Sequence, residues 1–150
     1  MDQLVDDFIK VCNLSNIKLE KDELIIESIS DETSHKCKKL PDNCMAIYIF
    51  KTKNEYLKVG KVGPKSRARY LHHHYNPKSS GSNLAKSILK DSSFISDFEA
   101  IKDVKNWIIR NTIRTNIIVK ANKGSLFLNL FEAFLHCRLK PKYEGKNQTN

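Results

Sequence analysis

The stretch from residue 45 to residue 61 constrains the fold most. Met45, Ala46, Ile47, Tyr48, Ile49 and Phe50 form one β-prone run, and Tyr56, Leu57, Lys58, Val59, Gly60 and Lys61 form another; residues 51–55 between them are polar. A joint of that length and character predicts an antiparallel hairpin. Gly63 and Pro64 end the second run. Pro64 suits the first turn of a helix, where its missing N–H is not needed, and that helix is expected to reach about residue 74.

The other elements follow from periodicity and breakers. Residues 2–12 read as a helix with Leu4, Val5, Phe8, Ile9 and Cys12 on one face. Residues 17–29 suggest a hairpin or one edge strand, and the polar residues 30–43 read as a linker. Residues 76–82 are a loop by composition, and Ser82 or Asn83 can cap a helix running to residue 91. A helix over 97–110 would bury Phe98, Ile101, Val104, Trp107 and Ile108, and residues 113–119 read as a third strand. The last helix, 123–139, carries Leu126, Leu130, Phe131, Phe134 and Leu135 inward and stops at Pro141. The expected fold class is α/β: a small three-stranded antiparallel sheet from residues 45–51, 56–61 and 113–119, flanked by helices, with an N-terminal helix and strand extension over 1–43. Residues 44–145 form the main domain and residues 146–150 a disordered tail.

Composition limits the function classes. With 40% apolar residues, a chain of 150 can fill a core. No apolar run approaches the roughly 20 residues needed to cross a bilayer. The acidic residues 1–7 are unlike a secretion signal, so a cytoplasmic protein is expected. Cys12, Cys37, Cys44 and Cys137 lack CxxC spacing and read as reduced, structural thiols. The net charge of +9 is unevenly placed: residues 1–43 hold ten acids and six bases, the remainder seven acids and twenty bases. Such a surplus points to a polyanion, nucleic acid first, although a solubilising surface has the same charge count.

Between Lys58 and Arg69 there are five cations, Lys58, Lys61, Lys65, Arg67 and Arg69, and no acid. On a helix Arg69 and His73 share a face, so a guanidinium and an imidazole can address one phosphate. Tyr48, Tyr56, Tyr70 and Tyr75 lie close by in sequence, unlike the neighbours of a plain solvated face. Glu132 is the opposite anomaly, an acid inside the apolar window 126–135. It either lies on a wet stripe with Asn129 and His136 or is paired or bound to a cation, because a lone buried carboxylate is costly. A basic chain with tyrosines, an arginine, a histidine and one such acid fits metal-assisted phosphodiester cleavage. One carboxylate suits Mg²⁺, which keeps most of its waters.

Ala46-Ile47-Tyr48 followed ten residues later by Lys58-Val59-Gly60 resembles the paired signature of the GIY-YIG nuclease family. Further landmarks come in family order: Lys61 after the second triplet, Arg69 on the next helix, His73 four residues on, Glu132 on a late helix, and Pro141-Lys142-Tyr143 beyond it. The resemblance covers residues 45–145. It departs at Ala46 for the first glycine, at Lys58 for the second tyrosine, and at Glu144 for an asparagine. Arg67 remains an alternative to Arg69, and His72 and His74 to His73.

What the resemblance implies is an endonuclease hydrolysing DNA with Mg²⁺ or Mn²⁺ as cofactor. Tyr48, Lys58, Arg69, His73 and Glu132 would be catalytic, with Glu132 the metal ligand. Lys61, Lys65, Arg67 and Tyr56 would contact phosphate or nucleic acid. The partner implied is DNA, with RNA left open, no membrane, and a monomer or homodimer. The alternative is a nucleic-acid-binding module of the same fold that has lost cleavage.

Overall fold

The chain folds around a four-stranded antiparallel sheet in a computed structural model that describes residues 1–29, 39–79, 83–91 and 102–143. The strands are β1 (Ile25–Ile29), β2 (Cys44–Lys51), β3 (Tyr56–Val62) and β4 (Ile113–Lys120), in the spatial order β1-β4-β2-β3. The hairpin expected from residues 45–61 is β2–β3. The expected three-stranded sheet gains a strand, because β1 from the N-terminal extension pairs with β4 from Ile25↔Ile118 to Ile29↔Arg114. Otherwise β4 would expose a full row of unpaired backbone groups.

Side chains of β2 alternate between two apolar layers. Ala46, Tyr48 and Phe50 face a layer built from α2 (Arg67–Leu71), α3 (Leu84–Lys90) and α4 (Val104–Asn111). Met45, Ile47 and Ile49 face a layer built from α1 (Asp2–Leu14) and α5 (Gly124–Leu139). Helices thus cover both faces, which is why β2 has no polar face to read. In the second layer the Phe8 and Phe131 rings stack at 3.9 Å, and Arg138 donates to Asp7 at 2.8 Å.

Several elements differ from expectation for local reasons. The basic helix ends early, at Leu71, and the chain turns through a short 3₁₀ segment at His73–Tyr75. Of residues 17–29 only Ile25–Ile29 is a strand. Lys21–Glu23 is a 3₁₀ turn closed by a bond from the Glu20 backbone N–H to the Glu23 carboxylate. On α5 the inward face is Phe127, Phe131 and Leu135 with Leu128, and Leu126 is 81% exposed. Phe131 and Leu135 lie inward as expected and Leu130 and Phe134 pack partly against the same layer, whereas Leu126 gives its expected place to Phe127, four residues before Phe131. Asn83 caps α3 by accepting from the Lys86 N–H, and Asp103 caps α4. Residues 97–101 of the expected helix, residues 30–38 of the expected linker, Cys37, Glu144 and the tail lie outside the described residues. Leu40, near the end of that linker, is buried. Cys12, Cys44 and Cys137 are free thiols. Among the described residues no helix is long and apolar enough to cross a membrane.

Two details shape the β3 edge. The register shifts between Phe50 and Lys51, so Leu57 enters the first layer while Tyr56 packs against the second. After α5, which Lys140 ends in a left-handed conformation, Lys142 and Tyr143 donate backbone N–H groups to the Tyr56 and Leu57 carbonyls at 2.9 Å each. The Tyr143 hydroxyl donates to Asp91 at 2.8 Å. Burial, then Asp91, raises its pKa and keeps it a donor. Residues 141–143 thus cover the outer side of β3 at its start.

Candidate functional site

Two rows of side chains cross the sheet on the face covered by α2, α3 and α4. Gly60, Tyr48 and Asn116 are direct cross-strand neighbours, as are Lys58, Phe50 and Arg114. The first row shows why Gly60 is bare. A Cβ on Gly60 would lie 2.3 Å from the Tyr48 hydroxyl oxygen and 2.5 Å from Cζ, so the phenol rests directly on the glycine backbone. The third residue of each triplet is one half of a single contact.

Tyr48 and Arg114 are 0% exposed and Lys58 only 2%. Arg114 is held by three hydrogen bonds: Nε to Asn116 Oδ1 at 2.9 Å, Nη2 to the Tyr70 carbonyl at 2.8 Å, and Nη1 to the Tyr75 hydroxyl at 3.3 Å. Its guanidinium carbon lies 4.8–5.7 Å from the ring centres of Tyr70, Phe50 and Tyr48. Among the described residues no carboxylate pairs with it.

His74 completes this cluster. Its ring centre is 4.5 Å from that of Tyr48 and 5.5 Å from that of Phe50. It is 1% exposed, and among the described residues neither ring nitrogen has a hydrogen-bond partner. Burial, followed by the charges of Lys58, Arg114, Arg69 and His73, lowers its pKa to about 2, so the imidazole is neutral at any ordinary pH. A neutral imidazole can donate a hydrogen bond from one ring nitrogen and accept one at the other, while the surrounding positive charge makes it a poor base.

The second half of the expected site lies across the sheet. Lys61 follows Gly60 and projects to the opposite face, where its ammonium forms an ion pair with Glu132 of α5. Nearby, His136 Nε2 is 3.4 Å from the Val59 carbonyl oxygen. Glu132 is thus neither on a fully wet stripe nor buried alone. Its half-buried carboxylate is neutralised by the lysine expected to bind phosphate. Among the described residues no group of three His, Cys, Asp or Glu side chains stands ready for a metal.

The structure brings Tyr48, Lys58 and His74 together, with Arg69 close enough to bear on His74. Arg69 itself is exposed at the end of α2. His73 is half-buried and takes part through its backbone carbonyl, which accepts from Ser79 Oγ at 2.8 Å. Lys65 is exposed in the turn before α2, which Arg67 opens. Tyr56 turns to the α1–α5 layer, away from Tyr48. Sequence reasoning missed Arg114 and Asn116, and it chose His73 within the histidine run. Signals were present for both. Arg114 and Asn116 stand four and two residues before Ile118 in a β-prone run and so share its face, and His74 stands four residues after the buried Tyr70.

Comparison with protein-family models, with curated proteins and with solved structures finds no match.

Proposed function

We propose that this chain is a metal-dependent endonuclease that hydrolyses DNA phosphodiester bonds at a GIY-YIG-type site along the β3 edge. The observation that carries the reading is the Tyr48–Gly60 contact. It gives two triplets that are individually weak in sequence one shared physical reason, with Lys58, Arg69 and His74 gathered around it.

In this reading a phosphate meets β3 beside Gly60 and Lys61, the junction between the two half-sites. Arg69, exposed at the end of α2, holds non-bridging oxygens, as guanidinium groups do well. Tyr48 and His74, buried behind the β3 edge, shape the floor beneath the attacking water. The water's oxygen attacks phosphorus and its proton passes to solvent, while the bond to the leaving oxygen breaks on the opposite side and that oxygen takes a proton from solvent. The buried positive charges of Lys58 and Arg114 favour the negative charge that develops. His74 replaces the expected His73 in this role because it alone of the run faces Tyr48.

The residues fit one hard divalent cation. Mg²⁺ is satisfied by one or two carboxylates plus waters, and Glu132 already holds a cation, the Lys61 ammonium. Metal and ammonium are alternative partners for that carboxylate, and a displaced Lys61 is free to meet phosphate. Bound there, Mg²⁺ or Mn²⁺ would supply Lewis-acid stabilisation of the leaving oxygen.

The same ion pair favours a second reading, a nucleic-acid-binding module without cleavage, in which Lys61 permanently neutralises Glu132. Incubating the purified chain with plasmid DNA and Mg²⁺ or Mn²⁺ separates the two. Metal-dependent nicking that is lost in Glu132→Ala supports the nuclease; nicking that survives Glu132→Ala removes it. Salt-sensitive binding with no product selects the module.

A further inference from the structure

Beyond the long-range effect of its charge, Arg114 bears on the first half-site through what it holds in place. It is completely buried, and its three hydrogen bonds go to neutral acceptors. Burying a guanidinium without a carboxylate is costly, and such a charge persists in a core only where its geometry is over-determined. The over-determination is visible in what it holds. One N–H takes the Tyr70 carbonyl in α2 and another takes the Tyr75 hydroxyl, so the two bonds grip the 70–75 segment at both ends. His74 is inside that grip and Arg69 immediately before it. The third bond, to Asn116, fixes the guanidinium plane against the strand neighbour of Tyr48. The guanidinium also lies against the Tyr48 and Phe50 rings that wall His74.

We propose that Arg114 is a positioning residue of the phosphodiesterase site, a buried fork on β4 that clamps the 70–75 segment and thereby sets where His74 and Arg69 stand relative to Tyr48. The inference rests on the nuclease reading. It assigns Arg114 no contact with nucleic acid, since the side chain is sealed from the surface. A lysine there would keep the charge but reach only one of the three acceptors at a time, because an ammonium is a point and a guanidinium a planar fork. Geometry and charge are therefore separable by one substitution.

The test compares the full chain with Arg114→Lys and with Tyr75→Phe, which removes one arm of the grip and keeps the arginine. Circular dichroism and thermal unfolding establish that each variant is folded. Three quantities are then read: DNA dissociation constant, kcat for metal-dependent nicking, and the His74 ring-proton NMR signals. Those signals carry the ring-current shifts of Tyr48 and Phe50. A clamp predicts a dissociation constant weakened by no more than the loss of the single Arg69 phosphate contact, a larger fall in kcat of about 100-fold for a misplacement of order 1 Å in Arg114→Lys, and His74 signals moved toward those of a free imidazole. Tyr75→Phe should show the same changes in smaller measure. Added guanidinium should restore part of the kcat of an Arg114→Ala chain. A folded Arg114→Lys chain with native kcat and native His74 signals overturns the inference while leaving the nuclease intact. A wild-type chain that never nicks DNA overturns the nuclease reading itself, and the positioning role with it.

Discussion

A single missing methyl group is the most informative residue-scale feature. Gly60 has no room for a side chain because the Tyr48 phenol occupies it, whereas a Cβ at Gly63, three residues on, would meet nothing within 4 Å. Gly60→Ala is expected to displace a buried ring or the edge strand, costing about 1–3 kcal/mol as overpacked cores do. Gly63→Ala should stay within about 0.5 kcal/mol of wild type; urea unfolding of the pair checks both. His74 makes a second residue-scale prediction with a definite sign. Its pKa is depressed in the folded chain to about 2 from an ordinary value near 6.5. Below about pH 6.5 the unfolded chain therefore takes up a proton that the native chain refuses. Above that pH its contribution is undiminished; as pH falls toward 2 it costs up to about 1.4 kcal/mol per pH unit. Stability measured from pH 7 down to pH 4 should fall, and His74→Phe should remove that component of the slope. An identical slope in the variant would show that His74 is not kept neutral by the fold.

At the scale of elements, the two half-sites are carried by different layers, and β3 is where they meet. Glu132 and Lys61 are an ion pair with partly exposed side chains, 20% and 37%. Pairs of that exposure contribute about 1 kcal/mol or less. Glu132→Ala is therefore expected to leave the unfolding midpoint nearly unchanged while abolishing nicking, a combination that thermal melts and a plasmid assay read directly. Much of this level was legible beforehand. The β2–β3 hairpin announced itself through two β-prone runs and a polar joint, and the last helix through its apolar stretch and Pro141. Less was legible where a partner distant in sequence decides. Leu126 and Phe127 are apolar neighbours in sequence, and only the edge contact of Phe127 with Phe8 shows which of them is inward. Arg114 resembles any charged residue in a strand until the Tyr70 carbonyl and Tyr75 hydroxyl are found beside it. Lys61 and Glu132 were each singled out, but their pairing across 71 residues needed the sheet.

Across the whole molecule, the N-terminal residues are built into the fold. β1 completes the sheet through β4, and Val5, Phe8 and Cys12 of α1 fill the layer against α5. Removing residues 1–29 would strip that cover from Met45, Ile47 and Ile49, so the shortened chain is expected to be insoluble or to lose cooperative unfolding. Phe8→Ala in the full chain should cost about 3–5 kcal/mol, the range for deleting a buried phenylalanine, as denaturant unfolding would show. The acids of α1 pair with Lys10, Lys21 and, on α5, Arg138. By sequence the surplus of cations lies in residues 44–150. All of this converges on whether the cluster around Tyr48 breaks a phosphodiester. The most direct measurement is single-turnover cleavage of labelled duplex DNA with Mg²⁺ or Mn²⁺ by the wild-type chain, Tyr48→Phe, His74→Ala and Glu132→Ala, each verified as folded. The account predicts cleavage by the wild type and its loss in all three variants with DNA binding retained. Cleavage at the wild-type rate by folded Tyr48→Phe and His74→Ala chains would contradict it.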